Sequence, residues 1–166
     1  MTEMWQSLMD VLDEMLALYQ RLLELGEEKR TRLVQARPVE LEAINRLEES
    51  LIIQGSELEN RRARSTAVIV TSCGLSNAAT TLSELAAAAE PETAERLREF
   101  SRELGGILKE LARINAINGN LTEQALAFVN YNLNLLTRSQ AESTYAPAGS
   151  SAQVSRSMTA LLDRRV

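Results

Sequence analysis

Near the N-terminus apolar side chains recur at Trp5, Leu8, Leu12, Met15, Tyr19 and Leu22, in alternating steps of three and four. That spacing puts them on one side of a helix, predicted over residues 2–36. From Gly26 to Arg32 the stripe is broken by Glu27, Glu28, Lys29 and Arg30, so this end is expected to run past the core into water. Pro38 suits a first helical position, where its missing N–H costs nothing, and predicts a second helix over 39–73. Leu41, Ile44, Leu47, Leu51, Ile52, Gly55 and Leu58 give that helix its apolar face, laid antiparallel to the first by the short connection. Residues 67–73, Ala-Val-Ile-Val-Thr-Ser-Cys, are β-branched enough for a strand, yet no comparable strand exists to pair with them. Helix is the better reading, closed by a left-handed Gly74.

Thr81-Leu-Ser-Glu84 has the spacing of a capping box and predicts a short helix over 82–89. Pro91 between Glu90 and Glu92 then opens a long helix over 92–138. In it Leu97, Leu104, Leu111, Asn118, Ala125 and Asn132 recur every seven residues, as do Phe100, Ile107, Ile114, Leu121, Phe128 and Leu135. A heptad kept this long marks a coiled coil or bundle seam. The expected fold is therefore all-α: an elongated antiparallel bundle, or coiled coil, of three long helices plus one short one over residues 1–138. Residues 139–166 are small and polar, with Pro147 and Gly149, and are expected to form a flexible tail. Met158, Leu161, Leu162 and Val166 give it a short amphipathic end.

Composition removes many chemistries. Histidine is absent, so no imidazole base, Ser-His-Asp or Cys-His pairing, or histidine metal ligand can form. The carboxylates are scattered along helix faces and no glycine-rich phosphate loop is present, so no enzyme, cofactor or metal site is expected. Cys73 is the only cysteine, and it is expected to be a buried small hydrophobe. The net charge is −5 and the basic residues form no dense block, which argues against nucleic acid. No stretch reaches the roughly 20 uncharged apolar residues of a membrane span. The expected location is the cytoplasm.

Residues 114–137 contain one charged side chain, Glu123, and six asparagines at 115, 118, 120, 130, 132 and 134. Either this is the best-buried stretch of the bundle or it faces a partner. Buried amides left unpaired cost about 1–3 kcal/mol each, so all six cannot be satisfied in one apolar core. Asn118 and Asn132 lie on the seam, where an asparagine fixes register or hydrogen-bonds an incoming helix. Gly105-Gly106 in mid-helix is expected to permit close backbone approach, with a hinge as the alternative. Trp5 is expected in the core. Tyr145 lies outside any predicted core.

Asn115 and Asn118-Gly-Asn-Leu121, leading into Ala125-Leu-Ala-Phe128-Val-Asn-Tyr-Asn-Leu-Asn-Leu-Leu136, are followed by Thr144-Tyr145-Ala-Pro147-Ala-Gly149 and a Leu162-Asp163-Arg-Arg close. Together they resemble the FlgN-type flagellar export chaperones. The resemblance implies a non-enzymatic protein that holds hook-associated proteins of the hook-filament junction and delivers them to the type III export apparatus. On that analogy Asn118, Leu121, Ala125, Phe128, Asn132 and Leu135, with Met158, Leu161 and Leu162 from the tail, contact the client. Tyr145 would dock on the export gate, with the export ATPase complex as a further partner. Ala148 stands where the family often has lysine. The alternative is a structural coiled-coil module that self-associates, as a homodimer, without a client.

Overall fold

The computed structural model describes residues 3–75 and 81–143, with side chains to Thr137. Its helices are α1 (Glu3–Val34), α2 (Pro38–Cys73), α3 (Leu82–Ala88) and α4 (Pro91–Ser143), and no strand occurs among the described residues. The chain forms two compact units, Met1–Ala125 and Leu126–Val166, with the boundary inside α4.

In the first unit α1 and α2 run antiparallel. Ser7 meets Ser65 at 3.3 Å, Glu14 accepts two hydrogen bonds from Arg61 at 2.6 and 2.8 Å, and Lys29 reaches Glu48 at 2.7 Å. The α4 segment of this unit lies along α1 in the same direction, with Asp13 beside Arg96 at 3.3 Å and Gly26 beside Asn118. Leu8, Leu12, Ile69, Leu85 and Leu97 fill the space between the helices, and Trp5 belongs to the same core. Leu8, Leu12 and Leu97 are stripe or heptad positions, while Ile69 and Leu85 lie outside the apolar faces read from the sequence; all are brought together because a helix buries one face only against another element.

The helix ends follow local chemistry. After α1, Arg37 N–H donates to the Arg32 carbonyl and Ala36 N–H to that of Leu33, with Ala36 left-handed at φ 52°. Gly74 closes α2 the same way at φ 65°, its neighbour Leu75 N–H donating to Val70. Thr81 Oγ1 accepts from Glu84 N–H, while the Glu84 carboxylate accepts from Thr81 N–H at 2.7 Å, so both halves of the capping box are made.

Several expectations change. The charged end of α1 does not run free: Leu25 and Gly26 are buried, and Lys29 and Arg32 are tied to Glu48 and Glu40 of α2. Helix α4 continues to Ser143, five residues beyond its expected end at 138. Cys73 is exposed, because the last turn of α2 turns only Ile69 fully inward. Leu47 and Ile52, placed on the apolar face of α2, are exposed at the edges of the arc that packs on α1.

The glycines also exchange roles. A Cβ at Gly105 or Gly106 would meet nothing within 4 Å, whereas one at Gly26 would sit 2.9 Å from Ile114 Cγ2. Gly26 is thus the close-approach position. Ala in place of Gly105 or Gly106 is expected to stabilise the chain by about 0.5–1 kcal/mol each, since only helix propensity changes there. Urea unfolding measures this, and a loss of stability would mean that the pair is held for another reason.

Hydrogen bonds from Arg61 hold the Glu14 carboxyl below its ordinary value of 4.5. Those from Arg62 and Arg113 do the same for Glu59 and Glu110, and the Thr81 N–H does so for Glu84. A carboxyl whose folded value is depressed contributes stability that is complete above the unfolded value and is lost as pH falls through the folded one. The urea midpoint is therefore expected to decline as pH drops below 4.5. Glu14→Gln should flatten part of that slope, and an unchanged slope would show that the Glu14–Arg61 pair adds nothing.

Candidate partner-binding surface

The heptad positions of α4 divide by unit. In the first, Leu97, Phe100 and Ile114 are buried, while Leu104, Ile107, Leu111 and Leu121 are half-buried. Asn118 is 4% exposed, and its Nδ2 donates to the Gly26 carbonyl at 2.8 Å. Its Oδ1 is buried without a hydrogen-bond partner among the described residues. A seam asparagine of this kind fixes the register of two helices at some loss of stability. Gly26 makes the bond possible, because the missing side chain lets α4 approach the α1 backbone. Ala125 is exposed.

In the second unit the environment is different. Phe128 is 68% exposed, Leu126 60% and Leu133 54%, with Val129, Tyr131 and Leu135 also exposed. Asn132 is half-buried and its Nδ2 bonds back to the Phe128 carbonyl at 2.9 Å. Residues 126–137 include no acidic or basic side chain. Of the two readings of the neutral stretch, deep burial therefore fails for these residues. Solvated large apolar groups in such a concentration are what an interaction surface presents.

The residues expected to contact a client are thus placed unevenly. Phe128, Asn132 and Leu135 share one side of the helix, spaced four and three apart. Asn118 is committed to Gly26, and Leu121 is half-buried in the first unit. Tyr145, Met158, Leu161 and Leu162 lie outside the described residues. Leu126, Val129 and Leu133 were not among the expected contacts. Their signal was present as a second three-and-four spacing beside the first. Among the described residues no group of three or more His, Cys, Asp or Glu side chains is arranged to hold a metal. No helix there is long and apolar enough to cross a membrane.

A family model described as FlgN protein matches residues 1–153. The chain belongs to the FlgN family. Its role is accordingly that of a flagellar export chaperone, and the FlgN family is a chaperone family rather than one of enzymes. The match extends over both units, including the exposed stretch of α4 in this FlgN-family chain. No curated protein and no solved structure matches it.

Proposed function

We propose that the chain binds the amphipathic terminal helices of hook-associated proteins through the C-terminal part of α4. It keeps them from assembling early and delivers them to the export apparatus from the cytoplasm. The observation that carries this reading is the exposed, uncharged apolar surface centred on Phe128 and Leu135. Unfolded amphipathic segments aggregate unless their apolar faces are covered, and a helix with such a surface covers them by completing a coiled-coil contact. Ordering the client offsets part of the gain from burying apolar area, so affinity is moderate and release remains possible. Leu121 and Ala125 extend the client contact. Met158, Leu161 and Leu162 add a clasp from the tail, and Tyr145 engages the export gate, with the ATPase complex as a later partner.

The test is sedimentation of the purified chain alone and with a hook-filament junction protein of the same bacterium. A heterocomplex with one copy of each supports the proposal. A homodimer that persists when the junction protein is added would favour a self-associating coiled coil instead. Tyr145→Ala should leave client binding intact while weakening capture by the export gate's cytosolic domain. Equal loss of both would end the division of labour between helix and tail.

A further inference from the structure

The apolar surface of residues 126–137 is wider than one helix can cover. At about 100° per residue, the exposed apolar side chains from Tyr131 through Phe128 and Val129 to Leu126 sweep roughly 220° of the helix circumference. Only Asn130, Asn134 and Thr137, with the small Ala127, occupy the rest. The arc resolves into two rows. Phe128, Asn132 and Leu135 form one; Leu126, Val129, Leu133 and Leu136 form the other, with axes roughly 110° apart on the helix. Each row has the three-and-four spacing of a coiled-coil seam. A single partner helix contacts one such seam and would leave the other in water.

We infer that this part of α4 receives two amphipathic helices of one client chain at once, one on each row. The inference rests on the reading of α4 as the client-binding helix. Length argues the same way. Twelve residues rise only about 18 Å, and a client helix docked over so few turns is shorter than those that persist alone in water. With the rows roughly 110° apart and helix axes packing at about 8–10 Å, the two client helices stand roughly 13–17 Å from each other and dock as separate seams. When both belong to one chain, the second docks without a further loss of translational freedom. A second copy of this chain, meeting α4 through one row, would leave the other row uncovered. The absence of charge along the arc suits client helices whose facing stripes are purely apolar.

The experiment uses the full chain, a hook-filament junction protein, and separate peptides from that protein's N-terminal and C-terminal ends. Phe128→Glu alters one row and Leu133→Glu the other; both positions are exposed and glutamate is a good helix former, so thermal unfolding should not change. Both peptides are expected to bind the wild-type chain together. Each variant is expected to weaken one peptide about tenfold or more while changing the other less than about twofold, as independent seams require. Competition between the peptides, or one peptide losing affinity equally to both variants, overturns the two-helix inference and leaves single-helix capture standing. If the variants instead dissociate a homo-oligomer of the free chain, the arc belongs to a second copy and the inference falls. Failure of the wild-type chain to bind the intact junction protein removes the client reading itself.

Discussion

Replacing Phe128 and Leu135 together by glutamate is expected to lower affinity for the junction protein about a hundredfold, with the unfolding curve of the free chain unaltered. Both side chains are exposed in the free chain, so folding gains little from them. Covering one large apolar side chain is worth about 1.5–3 kcal/mol, and each 1.4 kcal/mol is a factor of ten in the equilibrium constant. Two such losses, partly compensated by repacking of the client, give the stated size. Titration calorimetry beside urea unfolding separates the effects. If binding persisted, the surface would have another use; if stability fell in parallel, these residues would be structural after all.

The second large effect concerns stability. Ile114 is fully buried, and its Cγ2 occupies the place a Cβ on residue 26 would need. Ile114→Ala is expected to destabilise the chain by about 2–5 kcal/mol, the usual range for emptying such a core position. Gly26→Ala alone should also destabilise, by about 1–2 kcal/mol. Overpacking against a stiff β-branched side chain exceeds the gain in helix propensity. In the Ile114→Ala background the sign should reverse, because the obstacle is gone and alanine favours the helix. A double-mutant cycle by urea unfolding measures this, and simple additivity would show that the two residues do not meet in solution.

The helices and the seam of α4 were legible because periodicity reports which way a side chain points on its own helix. The same periodicity is silent about whether a neighbouring element is there. The heptad reads alike at Ile114, which is buried, and at Phe128, which is exposed. The want of charge between 126 and 137 distinguishes the second half, and the packing of the folded chain decides between a deep core and an open face. Gly26 carries no signal of its own in the sequence, since it opens a charged stretch; its purpose depends on Ile114 and Asn118, about ninety residues away in sequence. Gly105-Gly106 drew attention as a pair, yet no neighbour lies close to either. Gly74 announced the end of α2, whereas Ala36 does the same work for α1 without the residue that usually signals it. Val68 and Cys73 lie in one β-branched run, and both are exposed because a helix presents only part of such a run to its neighbour.

The uncharged composition of residues 126–137 has a kinetic consequence. With no fixed charge on this surface, only charges elsewhere on the chain act on an approaching partner, so capture should proceed near the unsteered rate of about 10⁵–10⁶ per molar per second. Sodium chloride should leave it nearly unchanged, and sulfate should tighten it. A chaperone working in this way holds its cargo with nearly equal firmness in dilute and in concentrated sodium chloride.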